Sequence, residues 1–261
     1  MTRGGALGMI AGVFRAVPGF ALGILICGFG PGCSSGTETG NPSFTAELSY
    51  TAYSSAPAIV GVHTAASRAR VESAWLDLDR VALSTAGSCA LAAPTQIKVP
   101  ALGVGDHASG DHHFTRFEVD PSAFCALDLP FVQAPGTPVE SGEPPSLEQH
   151  SIMIAGALPD GTPFTVLSAA TPTLHLVAEQ GSFEMGMNSA QMLITFDLAA
   201  WLDLDFDSAT RSAGEIVISA DQNPLLLAQF ESNLASGVAL YRDRDGDGTL
   251  DVSPERLAHG Q

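Results

Sequence analysis

Several residue types are scarce in this 261-residue chain, and each scarcity excludes a class of function. Lys98 is the only lysine, which excludes covalent chemistry through a lysine amine at any other position. Only 11 basic residues face 28 acidic ones, for a formal net charge of −17, and such a polyanion repels phosphate backbones. We therefore expect no nucleic-acid partner. The sequence also lacks a Gly-x-Ser-x-Gly motif and a phosphate-binding glycine loop.

The first 32 residues have the pattern of an export signal. Arg3 and Arg15 supply positive charge, and the apolar stretch 16–29 is too short and too rich in glycine and proline for a transmembrane helix. Residues 30–33 read Gly-Pro-Gly-Cys, and small residues before a cysteine suit a lipoprotein signal peptidase, although Gly30 stands where leucine is usual. Cys27 fits less well, because bulky Ile26 precedes it. We predict cleavage after residue 32 and lipid attachment to Cys33.

Residues 33–42 read Cys-Ser-Ser-Gly-Thr-Glu-Thr-Gly-Asn-Pro. This run resembles the mature start of uncharacterised Gram-negative bacterial lipoproteins, which implies a membrane partner through a lipid anchor. Ser34 after the cysteine implies the outer membrane, with the periplasmic or surface-facing side left open. Without residues 1–32, nine basic residues face 28 acidic ones, and a domain of charge −19 should stand off anionic lipid on the flexible tether 33–43. A cleaved, soluble secreted protein is the alternative.

Two further cysteines, Cys89 and Cys125, remain if Cys33 carries lipid. Disulfides persist in exported proteins, and no Cys-x-x-Cys pair is present. We predict a structural disulfide between Cys89 and Cys125 that closes a loop of about 37 residues. Two buried free thiols are the alternative.

Short apolar segments separated by turns, in a chain that is 45% apolar, predict a mostly β protein. We expect a β-sandwich of about ten short strands with one or two peripheral helices. The strands are expected at 44–53, 58–62, 71–83, 114–119, 124–132, 150–158, 163–167, 173–178, 191–196 and 215–219. Asp160-Gly161 between two of them predicts a hairpin. Asp197 suits the start of a short helix, and Asn223-Pro224 suits the start of a longer one over 224–236.

We assign residues 44–236 to the sandwich domain and 237–261 to a C-terminal segment that carries a candidate calcium loop. Residues 74–79 and 200–205 share the sequence Ala-Trp-Leu-Asp-Leu-Asp. Their flanks differ, and the first copy predicts a strand while the second predicts a helix. We therefore interpret the repeat as coincidence.

The C-terminal segment contains aspartates at alternate positions, followed by a glycine that permits a sharp turn. Calcium requires six to eight oxygen ligands, and this spacing can direct several of them at one point. The run 243–251 resembles the calcium loop of EF-hands and dockerin-type repeats, which implies these ligands: Asp243, Asp245, Asp247, Thr249 (through its backbone carbonyl) and Asp251.

Position twelve of that loop, normally a bidentate acidic residue, is Pro254, and Glu255 lies one place late. We therefore expect weak calcium binding, with a Kd of about 0.1–1 mM, and a structural role that orders the C-terminal end and docks the helix 224–236. A solvated acidic tail is the alternative.

A second candidate metal site lies in a loop rich in Gly, Asp and His: Asp106, His107, Asp111, His112 and His113. Histidine and carboxylate suit zinc or another transition metal, but the spacing matches no defined motif. The carboxylates Asp77 and Asp79, and those of 203, 205 and 207, are better interpreted as solvated faces than as catalytic pairs.

These observations predict a non-enzymatic, lipid-anchored cell-envelope protein with a binding or scaffolding role towards an unidentified protein or glycan. One alternative is a metal-dependent hydrolase that uses the 106–113 loop, which requires its five candidate ligands to converge in a pocket. Another is a carbohydrate-binding module, which requires Trp75, or Tyr50 with Tyr53, as an exposed platform. With 7% aromatic residues, the second alternative has little support.

Overall fold

A computed structural model describes residues 42–55, 69–134, 147–251 and 253–261. The predicted leader, Cys33, most of the tether and the strand predicted at 58–62 lie outside these residues. Strands make up 46% of the described residues and helices 12%, which confirms the mostly β prediction.

Fifteen strands form two sheets in a β-sandwich-like fold. In chain order they are β1 (Phe44–Tyr53), β2 (Arg70–Leu78), β3 (Ala82–Thr85), β4 (Gln96–Lys98), β5 (Gly103–Asp106), β6 (His113–Val119), β7 (Ser122–Pro130), β8 (Ile152–Ala157), β9 (Pro163–Ser168), β10 (Thr173–Ala178), β11 (Phe183–Met185), β12 (Gln191–Asp197), β13 (Ile216–Ile218), β14 (Val238–Arg242) and β15 (Arg256–Gly260).

The larger sheet has ten strands, in the order β4-β3-β7-β10-β15-β14-β12-β1-β6, with β11 also paired to β7. The smaller sheet has the order β13-β9-β8-β2-β5. Most neighbours are antiparallel, and the parallel pairs are β1 with β12 and β13 with β9. One apolar core contains residues from both sheets, including Leu48 and Ile194 from the larger and Leu76 and Ile154 from the smaller.

Nine of the ten predicted strands overlap strands of this fold, with two kinds of difference. The strand expected at 71–83 is divided into β2 and β3, which belong to different sheets. Five strands were not predicted, and three of them (β4, β5 and β11) have only three or four residues. The hairpin at Asp160-Gly161 is confirmed: Gly161 has φ 83°, and Asp160 Oδ1 accepts a hydrogen bond from the Thr162 N–H at 2.8 Å.

The two predicted helices are present. Asp197 caps α1 (Leu198–Trp201), because its Oδ1 accepts the Ala199 N–H at 3.1 Å. The second helix, α2 (Pro224–Asn233), ends three residues earlier than predicted, and its Asn223 side chain makes no capping bond. That side chain bonds instead to the backbone of Thr210 and Val217. In the described part of the chain, no helix is long and apolar enough to span a membrane.

The C-terminal segment 237–261 is built into the larger sheet. Its strands β14 and β15 form an antiparallel pair that lies between β10 and β12. Both strands carry fully buried residues, such as Leu240 and Ala258. The candidate calcium loop therefore connects two interior strands and is not an appended tail.

Cys89 and Cys125 lie at disulfide distance, with their Cα atoms 6.4 Å apart. Cys125 is buried on β7, and Cys89 is exposed just after a single 3₁₀ turn (Ala86–Ser88) that follows β3. The pair joins the β3–β4 edge of the larger sheet to its neighbour β7.

Candidate metal centre and adjoining cleft

The acidic loop spans residues 243–255 between β14 and β15. The Arg242 N–H donates to the Glu255 carbonyl at 2.9 Å, which closes the base of the loop. The flanking elements are strands, so the resemblance to an EF-hand is limited to the loop itself.

Three of the five predicted ligands come together. One carboxylate oxygen from each of Asp243, Asp245 and Asp247 lies within 4.8 Å of the other two, and among the described residues no other group of three acidic, histidine or cysteine ligands does so. Asp251 lies outside this group. Thr249 donates both its N–H and its hydroxyl to Asp247 Oδ1, each at 2.8 Å.

Two glycines give the loop its sharp turns. Gly246 and Gly248 have φ of 70° and 71°, in the left-handed region that favours glycine. Their N–H groups donate to the two carboxylate oxygens of Asp243, at 2.8 and 3.1 Å. A Cβ at Gly246 would lie 2.3 Å from the Gln191 side chain, and one at Gly248 would lie 2.3 Å from the His112 ring. The loop is therefore packed closely against its neighbours at both glycines.

The electrostatics of the loop favour a cation. Asp243 is only 4% exposed, and burial raises the pKa of its carboxyl group, against the effect of the two N–H donors. The negative charges of Asp245 and Asp247 raise that pKa further. Hydrogen bonds from Thr249 lower the pKa of the exposed Asp247. Three carboxylates this close repel one another, and a bound cation would remove that repulsion.

The acidic loop contacts the larger sheet. The Asp243 N–H donates to the Gln191 carbonyl of β12 at 3.2 Å. His112 touches Gly248, and its Nε2 lies 3.0 Å from the Ser49 hydroxyl of β1. The helix α2 packs against α1, β9 and β13.

The five residues of the second candidate metal site do not form a three-ligand cluster. Asp106 Oδ1 accepts backbone N–H groups from Ala74 and Ala108, at 2.8 and 3.1 Å. Asp111 is exposed and bonds to a neighbouring serine, while His112 faces the acidic loop. His107 and His113 adjoin, with ring centroids 4.7 Å apart, and His113 Nε2 lies 3.0 Å from the Asp106 backbone carbonyl oxygen. The convergence that the hydrolase alternative requires is therefore absent from these five described residues.

His107 is a buried core residue with a strongly lowered pKa. It is 2% exposed and packs against Tyr50 and Phe196 as well as His113. Burial lowers the pKa of His107 to about 3, the nearby His113 acts in the same direction, and a hydrogen bond with the Tyr50 backbone acts in the opposite one. Its backbone joins the two sheets, because its N–H donates to Ala74 of β2 and its carbonyl accepts from Ala52 of β1.

The predicted aromatic and carboxylate surfaces are only partly accessible. Tyr50 is 1% exposed, so it cannot form a platform with Tyr53. Trp75 is half-buried. Asp77 is buried and Asp79 is exposed, so the two do not share a solvated face. The aspartates at 203, 205 and 207 are exposed, as predicted.

A polar cleft of about 690 Å³ adjoins the acidic loop and shares Asp243 with it. Three arginines line it, Arg116, Arg242 and Arg244. None of the three arginines was predicted as a site residue. Arg242 and Arg244 flank Asp243 in the chain, which places them near the loop. Arg116 reaches the cleft because β6 pairs with β1.

No protein-family model, curated protein or solved structure matches this chain.

Proposed function

We propose that this chain is a non-enzymatic, lipid-anchored cell-envelope protein with a binding or scaffolding role, and that its acidic loop holds a structural calcium ion. The single observation that carries the calcium proposal is the convergence of the Asp243, Asp245 and Asp247 carboxylates at the end of an interior hairpin. Hard carboxylate oxygens are the ligands that calcium prefers.

The ion would stabilise the fold by joining three negative charges at the turn between β14 and β15. Further ligands would come from the Thr249 carbonyl, from Asp251 through water and from solvent. Glu255 lies outside the group of three converging carboxylates and pairs with Arg244 at 3.3 Å. A partly hydrated, three-carboxylate site fits the weak affinity of extracellular calcium modules.

Calcium should raise the melting temperature of the purified full chain after treatment with EDTA. With a Kd of about 0.3 mM, 10 mM calcium stabilises the folded state by about 2 kcal/mol, which is about 4–8 °C for a domain of this size. Asp245→Asn, which changes an exposed ligand, should remove most of this shift in melting temperature, and Asp243→Asn should abolish it. The measurement is thermal unfolding followed by circular dichroism.

Asp207→Asn is the matched control, because it removes one exposed carboxylate outside the loop. It should leave the calcium response intact, and magnesium at equal ionic strength should give a smaller shift than calcium. A wild-type melting temperature that does not change at 10 mM calcium would remove calcium from the proposal, as would an equal response in Asp245→Asn and Asp207→Asn.

The lipid anchor is supported by the sequence Gly-Pro-Gly-Cys at 30–33 and by the polar run that follows it. Intact mass spectrometry of the protein expressed in a Gram-negative host should find a chain that begins at acylated Cys33. Cys33→Ser should remain unprocessed and unlabelled by radioactive palmitate, whereas Cys27→Ser should be processed normally. A full-length chain with an unmodified Cys33 would refute the anchor.

A further inference from the structure

The strand β6 forms a long edge of the larger sheet. The other three strands that end the two sheet orders, β4, β5 and β13, have only three or four residues, whereas β6 has seven. The strand β4 also carries Lys98, and Pro100 lies two residues beyond it, and both residue types disfavour edge pairing. Sheets usually shorten or block their edges, because unpaired backbone groups there pair readily with another strand. The length of β6 therefore calls for a physical explanation.

The hydrogen bonds of β1 determine which backbone groups of β6 face outward. The Glu47 N–H donates to the Ala190 carbonyl, just before β12, at 2.9 Å. Glu47 and every second residue from it in β1 therefore face β12, and the residues between them face β6. Leu48 belongs to this second set and stands opposite Thr115, so Thr115 and its alternate neighbours in β6 bond to β1.

Phe114, Arg116 and Glu118 consequently direct their backbone N–H and C=O groups away from the sheet. None of these groups makes a backbone hydrogen bond with the described residues. The three side chains are exposed, while those of the residues between them are buried. The register of β6 on β1 has no bulge, and the strand contains no proline. The edge is therefore regular, exposed and able to accept a further strand.

The exposed charges of this edge are self-complementary. Arg116 and Glu118 lie on the same face of β6, two positions apart and opposite in charge. When a second β6 runs antiparallel beside the first with the two-fold axis at Phe117, Arg116 of each copy stands directly opposite Glu118 of the other. Such opposite-charge pairs have Cβ atoms about 4.5–5.5 Å apart and stabilise a sheet. Because both residues face outward, the members of each pair also exchange both of their backbone N–H···O bonds.

The side chains favour this register over its neighbour. With the axis at Arg116, the two arginines would stand opposite one another and repel. Arg116 retains donors for the new contact, because its bond to Glu47 uses Nε, at 2.8 Å, and its side chain is 62% exposed. Glu118 retains a second carboxylate oxygen, since it is Oε1 that accepts the Thr45 hydroxyl at 2.6 Å. The same two side chains can therefore contact β1 and reach across the edge.

We propose that this chain forms a two-fold dimer in which β6 pairs antiparallel with β6 of a second copy, with Arg116 of each copy opposite Glu118 of the other. The larger sheet then continues from one subunit into the next. This interface goes beyond the proposed function. It does not depend on the lipid anchor or on calcium, because none of its contacts uses Cys33 or the carboxylates of the acidic loop.

Charge reversal tests both the dimer and its register, by sedimentation velocity of the purified full chain in EDTA. A single strand edge is a small interface, so the wild type should dimerise with a Kd of about 10–100 μM. Arg116→Glu and Glu118→Arg should each raise this Kd by roughly tenfold or more, because each places like charges opposite one another across the axis. An equal mixture of the two variants should recover a dimer of about wild-type affinity, since both contacts then become pairs of opposite charge.

Arg211→Glu is the matched control, because it reverses an exposed arginine, paired with Asp160, that lies outside β6. It should dimerise as the wild type does, and circular dichroism establishes that each variant is folded. If the reversal at Arg116 prevents folding beside Glu47, Glu118→Pro takes its place. Proline removes an outward-facing N–H without breaking a bond to β1, and it should weaken the dimer by roughly tenfold.

Three results would each overturn the proposal. The first is a wild type that remains monomeric at concentrations several times the expected Kd. The second is association of wild-type strength in the folded β6 variants, which would place the contact elsewhere on the chain. The third is a mixture of the two folded charge variants that stays monomeric, because a pairing of Arg116 with Glu118 across the axis requires that mixture to associate.

Discussion

Acidification should destabilise the protein by about 1.4 kcal/mol for each pH unit between about 6.5 and 3, through His107 alone. Above pH 6.5 the imidazole is neutral in both the folded and the unfolded chain, so it makes no pH-dependent contribution. As the pH falls below 6.5, the unfolded chain binds a proton that the buried ring does not, because the folded-state pKa is about 3. The free energy of unfolding must therefore decrease as the pH is lowered from about 6.5 to about 3.

His107→Leu should remove this dependence. The ring lies among Tyr50, Phe196 and His113, so a leucine of similar volume can occupy the same space without a titratable group. Urea unfolding at pH 7.5, 6, 5 and 4 should give a flatter stability profile for the variant than for the wild type.

His175→Gln is the matched control for the loss of a histidine, because the His175 side chain is 53% exposed and pairs with Asp128 on the sheet surface. The steep dependence of the wild type should persist in this variant. Parallel profiles for His107→Leu and the wild type would show that His107 is not the group responsible.

Reduction of the Cys89–Cys125 pair should lower the free energy of unfolding by about 3–4 kcal/mol, because the cross-link closes a long loop in the unfolded chain. It should also loosen the β3–β4 edge of the larger sheet, which the cross-link ties to β7. Exposed Cys89 makes the pair accessible to a reductant without prior unfolding.

The measurement is urea unfolding of the wild type with and without dithiothreitol, beside the double variant Cys89→Ala, Cys125→Ala. The reduced wild type and the double variant should unfold at similar urea concentrations, below that of the oxidised protein, and the variant should not respond to dithiothreitol. Identical midpoints for the oxidised and reduced wild type would show that the adjacent thiols are not linked.

Strands with alternating burial were predictable from the sequence. The strand β6 alternates between buried and exposed or half-buried residues, as do β8 and β10, and the sequence analysis identified all three. The strand β14, in which four of five residues are buried, has no two-residue period and was not predicted. Strands of three residues, such as β4 and β11, are too short to show a period at all.

The candidate metal centre was predictable in part, because its three aspartates lie close together in the chain. Asp243, Asp245 and Asp247 stand at alternate positions, and the glycines between and after them permit the turn, so local sequence is sufficient to bring them together. The role of His112 was not predictable, because Gly248 is more than 100 residues away in the chain and their contact depends on the pairing of β6 with β1. The side chains of the 106–113 loop face the core, the acidic loop and solvent, which local sequence does not distinguish.

The sequence by itself determined the β-rich class, the pairing of the two cysteines and the gathering of three aspartates, because each depends on a local pattern or on the absence of other candidates. Tertiary structure decided the rest, as the repeated Ala-Trp-Leu-Asp-Leu-Asp shows. Its first copy lies in β2 with Trp75 half-buried, whereas its second contributes to α1, where Trp201 is fully buried beside Phe196 and Phe230 and donates to the Leu234 carbonyl. Identical local preferences gave two outcomes because the surrounding core, and not the hexapeptide, supplied the contacts that each tryptophan could make.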